Sequence, residues 1–234
     1  RALGLAVVLA GSAAAEEGEA WHAYFGDLHL HTSWSFDGYA IGTRTTPDDA
    51  FRYAKGEAIP ARGGGTLQIG RPLDFLAVTD HAEYYGVLRK MEDPDSPVAQ
   101  HPEAGAITSG DEKRAEDALV RILLGAILRG GGTLEPAPLL NDAGVRGQAW
   151  QETIAAVNRH YAPGTFTTFA GFEWTSTPTP QRNLHRHVIF RSTDNLPELP
   201  YSWLDSAEPA DLWTWLEAQR TRGLDVLAIT HNGN

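Results

Sequence analysis

The feature that most constrains the fold is an alternation between short apolar runs and segments with helical periodicity. Residues 46–55, 111–129, 150–161 and 209–219 have the start signals or apolar spacing of helices. Helices that alternate with buried strands are typical of α/β proteins, and 234 residues suffice for one large domain. The predicted strands are Tyr24–Thr32, Leu73–Thr79, Thr167–Trp174, His187–Arg191 and Asp225–Thr230.

The first predicted strand carries residue types that bind metals. In Asp27-Leu-His-Leu-His31, side chains alternate with period two, so the acid and both histidines should lie on one face. Two imidazoles on one face can bind a divalent ion, with Asp27 as a further ligand or a hydrogen-bond partner. A His-x-His pair alone is a weak signal, because two histidines in ordinary polar contacts give the same pattern.

Three further apolar runs have histidines or acids at one end. Taken singly, each permits an ordinary structural role, such as a loop cap or an ion pair. Taken together with the first strand, they predict a metal centre, because six of the nine histidines fall at these positions. The groups concerned in these three runs are Asp80, His81, Glu173, His185, His187 and His231.

Several segments carry a family resemblance. The order H-x-H-T, T-D-H, a strand-borne Glu, H-V-I-F and T-H-N resembles the polymerase and histidinol phosphatase superfamily. The resemblance is narrower to its branch called domain of unknown function 3604, and it covers nearly everything after residue 15. It implies an α/β fold, a distorted (β/α)7 barrel that is incomplete at its C-terminal end in this chain. The narrower resemblance rests on Gly26-Asp-Leu-His-Leu-His-Thr32, Ile41-Gly-Thr-Arg-Thr-Thr-Pro-Asp-Asp49 and Arg71-Pro-Leu-Asp-Phe-Leu-Ala-Val-Thr-Asp-His81.

The resemblance also implies two or three divalent metal ions. Mixed histidine and carboxylate ligation suits Zn, Mn or Fe. An Asp-x-His pair that the family also uses is expected beyond residue 234, and His185 is a neighbour of the second ion. The implied ligands, from the first ion to the third, are His29 and His31, then Glu173 as a bridge, His187 and His231, and last Asp37 and His81.

These features predict a metal-dependent phosphoesterase that hydrolyses a phosphate monoester with a metal-activated water. Because the expected Asp-x-His pair is missing, residues 16–234 alone are expected to be inactive. Asp80, at a strand tip, is a candidate catalytic residue. Arg44 and Arg182 are candidates for holding the phosphate as bidentate donors, although a salt bridge to a nearby acid explains either arginine equally well.

Two other functions stay open. An amidohydrolase-type metal hydrolase also begins with His-x-His, but it requires a metal-bridging lysine. Lysine occurs only at positions 55, 90 and 113, all outside the predicted strands. The other alternative is a periplasmic protein that binds metal without catalysis, and phosphate release from an aryl phosphate would distinguish it from the enzyme.

Charge and the N-terminal residues bear on partners and location. A net charge of -11 argues against a nucleic-acid partner. A small phosphorylated substrate remains compatible, because bound metal ions reverse the local field. Residues 1–15 have the pattern of a signal-peptide remnant, which predicts an exported, periplasmic or secreted protein with no membrane segment in its mature form. Residues 16–234 are then the barrel domain, with an insertion at about 91–148, and we expect truncation at both ends.

Overall fold

The fold is built on a mixed five-stranded sheet. The computed structural model describes residues 22–130, 135–176 and 184–231. Three of its neighbouring strands, at residues 26–27, 75–78 and 167–174, are parallel. The strand at residues 186–190 is antiparallel to both of its neighbours, at residues 167–174 and 226–230. A separate antiparallel ribbon pairs β2 (Ile59–Pro60) with β3 (Thr66–Leu67). The sheet strands, in spatial order, are β1 (Gly26–Asp27), β4 (Phe75–Val78), β5 (Thr167–Trp174), β6 (Arg186–Phe190) and β7 (Val226–Thr230).

Local capping explains where the longer helices begin. Thr46 and Asp49 form a capping box at the start of the second helix, and Pro47 occupies its first position. Asp111 and Asp142 accept hydrogen bonds from the first turns of the two longest helices. Among the described residues, no helix has both the length and the apolar character needed to cross a membrane. The helices are α1 (Phe36–Ala40), α2 (Pro47–Ala54), α3 (Val87–Lys90), α4 (Ala104–Ile107), α5 (Glu112–Arg129), α6 (Ala143–His160) and α7 (Pro209–Thr221).

The two faces of the sheet have different roles. Alternate residues of β5, such as Phe172 and Trp174, pack against α6 and α7 in the main core, together with the fully buried Trp150. The residues between them, including Glu173, face the other side, where the functional groups lie. A second core cluster joins α3, α4 and α5 around Leu88. Most of its buried residues, from Met91 to Val145, lie within the predicted insertion, which stays a prediction.

The predicted (β/α)7 barrel, incomplete at its C-terminal end, is wrong. Such a barrel consists of parallel strands joined by helices, whereas β6 is antiparallel to both of its neighbours. Residues 175–185 separate β5 from β6, which is eleven residues. A parallel connection needs about a dozen or more residues, so the chain reverses direction. The described residues instead form a curled, mixed sheet with helices.

The individual strands were predicted with unequal success. Strand β5 has the predicted bounds, and β6 and β7 differ from prediction by one residue. The predicted strand Tyr24–Thr32 is wrong over most of its length, because β1 ends at Asp27. The Asp27 carboxylate accepts a hydrogen bond from the backbone N–H of His29 at 2.9 Å, and this local bond turns the chain out of the ladder. The predicted signal peptide, residues 1–15, lies outside the described residues.

An ion-pair network between α2 and α6 gives a prediction about pH. Asp48 on α2 accepts hydrogen bonds from Arg159 and, at 2.9 Å, from His160. Burial alone would raise the Asp48 pKa, but these bonds outweigh it and hold the pKa below its ordinary value. An acid with a lowered folded pKa stabilises the protein fully above its ordinary pKa of about 3.9, and this contribution is lost as pH falls through the folded pKa.

We therefore expect Asp48→Asn to lower the free energy of unfolding near neutral pH by less than about 1 kcal/mol, because the pair is partly exposed. The deficit should shrink in acid, and urea unfolding at about pH 7 and about pH 2.5 measures it. Asp225→Asn is the control, because Asp225 and Arg191 form an exposed pair at 3.1 Å. A deficit for Asp48→Asn that is equal at both pH values would contradict the prediction.

Candidate metal centre

The mixed sheet brings its functional side chains to one edge. Because β6 is antiparallel to β5, His187 near its start lies directly opposite Glu173 near the end of β5. His231 follows the end of β7, and its backbone N–H donates to the carbonyl of His185 at 3.2 Å. His81 follows β4 and pairs with Glu173 in a single parallel bridge. Strand direction therefore explains why residues distant in the sequence meet here.

Glu173 is the centre of this group, with its side chain fully buried. Its carboxylate accepts from His185 Nδ1 at 2.6 Å and from His187 Nε2 at 3.2 Å. His31 Nε2 lies 3.1 Å from the same carboxylate. Burial alone would raise the pKa of Glu173, but the hydrogen bonds from these three histidines lower it far below its ordinary value. Glu173 is therefore a carboxylate at neutral pH.

Two sets of donors share this carboxylate. The atoms within each set lie within 4.8 Å of one another, slightly beyond the roughly 4 Å that is the widest separation of two ligands each about 2 Å from one ion, so small side-chain shifts would bring them into range. The sets differ from the predicted grouping, since His29 and His31 fall in different sets although their Nε2 atoms are 3.1 Å apart. One set is His29, Glu173, His187 and His231, and the other is His31, His81 and Glu173.

The chemistry of these donors fits a divalent ion. Nδ1 of His231 is buried and has no hydrogen-bond partner among the described residues, as expected for a nitrogen with an unused lone pair. Burial, followed by the neighbouring His187 and His31, lowers the pKa of His29 to about 4. A neutral imidazole is the form that binds a metal. The arrangement can therefore hold one or more ions.

Asp37 lies at the open side of the second set. Its Oδ2 is 3.4 Å from His81 Nε2, and its Oδ1 accepts from the Ser35 hydroxyl at 2.5 Å. Burial opposes ionisation of Asp37, but the hydrogen bond with His81 holds its pKa well below the usual range. For His81, burial lowers the pKa, yet Asp37 and Glu173 outweigh it and raise the pKa to about 9. A metal bound at His81 must therefore displace a proton.

Of the three predicted catalytic residues, Asp80 and Arg44 lie among the described residues. Both carboxylate oxygens of Asp80 are engaged by Thr32, through the backbone N–H at 2.5 Å and the hydroxyl at 2.6 Å. Asp80 is fully buried, and burial raises its pKa to about 6. These contacts identify a clamp that holds the histidine-bearing segment to β4. Arg182 lies outside the described residues.

Arg44 has the contacts of a structural arginine. Its Nη1 donates to the carbonyls of Tyr39 and Thr43, and its guanidinium stacks 4.0 Å from the centre of the Tyr39 ring. Its Nε lies 3.9 Å from Glu92. Among the described residues, Arg44 makes no hydrogen bond or ion pair with the histidine cluster. The alternative that the sequence left open, a salt bridge to a nearby acid, describes it better.

Sequence reasoning missed the residues that hold the ligands in place. The Thr79 hydroxyl accepts from the backbone N–H of Leu30 at 3.2 Å, and Thr175 contacts His81 Nδ1 through its hydroxyl. Ser35 lies 2.9 Å from His31 Nδ1. Serine and threonine are too common for their positions alone to indicate this role. His185, expected only as a neighbour of the second ion, lies 2.6 Å from the Glu173 carboxylate.

The Asp80 clamp yields a prediction about stability without metal. Asp80→Ala leaves the buried N–H and hydroxyl of Thr32 without their acceptor, which should cost about 2–4 kcal/mol of unfolding free energy. Thr32→Val removes the hydroxyl bond to Asp80 and also the acceptor of the Trp34 backbone N–H at 3.2 Å, but it keeps the Thr32 N–H bond, so it should cost about 1–2 kcal/mol. Urea unfolding of the metal-free variants tests both values. A metal-free Asp80→Ala protein as stable as wild type, with activity lost, would instead make Asp80 catalytic.

Comparison with known proteins places the chain in a family. The family model described as "Protein of unknown function (DUF3604)" matches residues 19–234, which is most of the chain. No curated protein and no solved structure matches it. The chain belongs to the DUF3604 family.

Proposed function

We propose that this protein is a metal-dependent phosphoesterase that hydrolyses a phosphate monoester. One observation carries the proposal: a buried carboxylate, Glu173, is shared by two sets of histidine donors within 4.8 Å. Hydrolytic sites with two adjacent ions use such a shared group to keep the ions close together. Zn, Mn and Fe all suit the mixed donors.

The side chains have distinct tasks in this proposal. The two donor sets would hold the ions, and their Lewis acidity would serve to activate a water and to polarise the phosphoryl oxygens. Glu173 and the histidines around it fix the positions of the ions from the buried side. The His29 side chain is 42% exposed and that of Asp37 is 44% exposed, so the substrate approaches from their side of the cluster. The chain has a net charge of -11, and the bound ions offset it for an anionic substrate.

Of the two alternatives, the structure argues against one and an experiment must test the other. An amidohydrolase-type site requires a bridging lysine, whereas a glutamate, Glu173, is the shared residue here. A non-catalytic metal-binding protein would bind the same ions and is distinguished from the enzyme only by an activity measurement.

Membership of the wider polymerase and histidinol phosphatase superfamily is part of our proposal and rests on motif order. Export to the periplasm or medium, supported by the pattern of residues 1–15, is also proposed.

The test combines metal binding with phosphate release. Added Mn or Zn should raise the melting temperature of wild type, since an ion at about 100 times its Kd stabilises by about 2.7 kcal/mol. The full-length protein should also release phosphate from an aryl phosphate in the presence of the ion. Glu173→Gln should lose both responses, because an amide does not supply the bridging charge.

Glu198→Gln is the matched control, since Glu198 is exposed, and it should behave like wild type. Metal stabilisation without phosphate release from any of several aryl and alkyl phosphates would support the non-catalytic alternative. An unchanged melting temperature in millimolar Mn and Zn would defeat the metal site itself.

A further inference from the structure

Ser35 occupies a position that its place in the helix does not explain. It is the N-cap residue of α1, yet its side chain makes no capping hydrogen bond. The residue is fully buried. Its hydroxyl instead meets three other groups: the Nδ1 of His31 at 2.9 Å, the carboxylate of Asp37 at 2.5 Å and the backbone N–H of His81 at 3.3 Å. Ser35 therefore lies between two candidate ligands and the backbone of a third.

The hydrogens that each group carries decide the direction of the three hydrogen bonds of Ser35. A serine hydroxyl has one hydrogen to donate and two lone pairs that accept. A carboxylate only accepts, so the hydrogen of Ser35 goes to Asp37. The backbone N–H of His81 only donates, so it occupies one lone pair of the Ser35 hydroxyl oxygen. The remaining lone pair faces His31, and Nδ1 of His31 must therefore carry a hydrogen.

This assignment fixes which His31 nitrogen is available to an ion. With a hydrogen kept on Nδ1, Nε2 has a lone pair for an ion once that ion takes the place of the hydrogen shared with Glu173. The Nε2 atom of His31 points at the cluster, 3.1 Å from Glu173 Oε2 and 3.1 Å from His29 Nε2. Hydrogen bonds to the second nitrogen commonly orient metal-binding histidines in this way.

We propose that Ser35 is a positioning residue that holds His31 with its hydrogen on Nδ1, so that Nε2 binds the ion shared with His81 and Glu173. The inference rests on the proposed metal site. The same hydroxyl orients Asp37, so one buried serine sets the direction of two candidate ligands at once.

Neighbouring Ser33 provides a matched control. It is also buried, at 1% exposure, and its hydroxyl has no hydrogen-bond partner among the described residues. Ser33→Ala therefore makes the same chemical change two residues away without removing a bond. Ser35→Thr keeps a hydroxyl at position 35 and serves as the conservative variant.

The experiment measures zinc binding and imidazole protonation. In zinc-loaded wild type, nitrogen NMR of the His31 ring should show a hydrogen on Nδ1 and zinc on Nε2. Ser35→Ala should weaken zinc binding about 10–100-fold, the usual effect of losing such a partner. Ser33→Ala should bind zinc like wild type, and Ser35→Thr should recover most of the affinity. The metal-free Ser35→Ala protein should melt below Ser33→Ala, because the buried N–H of His81 loses its acceptor, so zinc binding is compared at a temperature at which all the variants are folded.

Two results would overturn the inference while leaving the metal site intact. One is zinc on Nδ1 of His31 in wild type. The other is a zinc affinity of Ser35→Ala equal to that of Ser33→Ala. If wild type binds no zinc, manganese or iron, the proposed function fails, and this inference fails with it.

Discussion

Burying the carboxylate of Glu173 is the constraint on which the rest of the site depends. An ionised carboxylate removed from water costs several kcal/mol unless hydrogen bonds or opposite charges replace its hydration. Glu173 is fully buried, and histidines from β6 and from the segment after β1 supply those partners. Without a cation, the carboxylate is compensated by the ring N–H groups that the histidines donate to it. A bound divalent ion would add opposite charge at the same place.

The direction of β6 decides which residues supply that compensation. A (β/α) barrel would place ligands at the C-terminal ends of parallel strands. Here, the antiparallel pairing puts His187, near the start of β6, opposite Glu173, near the end of β5. His185, just before β6, then reaches the same carboxylate at 2.6 Å. The candidate ligands therefore meet without the predicted barrel. At one edge of a mixed sheet, the starts of some strands lie beside the ends of others.

The sequence predicted elements with strong local signals and missed those fixed by contacts distant in the chain. Strand β5 and helix α5 were predicted well, because an apolar run and a regular amphipathic spacing with an Asp111 cap depend on nearby residues. The clustering of most candidate ligands was predicted from their positions at strand ends. Strand direction was not predictable, because short apolar runs look alike in parallel and antiparallel sheets. Nor was the role of Asp80, whose partner Thr32 is 48 residues away.

The segment that carries His29 and His31 shows how a site is held rigidly without a strand. Its backbone donors are met one by one: the N–H of His29 by Asp27, that of Leu30 by Thr79 and that of Thr32 by Asp80. In a strand, alternation would direct every second side chain to one face. Freed from that rule after Asp27, the chain can direct His29 into one donor set and His31 into the other. Side-chain hydrogen bonds thus supplement a backbone ladder that is reduced here to the bond from the Thr79 N–H to the Leu30 carbonyl at 2.9 Å, where a regular strand would have sent both histidines to the same ion.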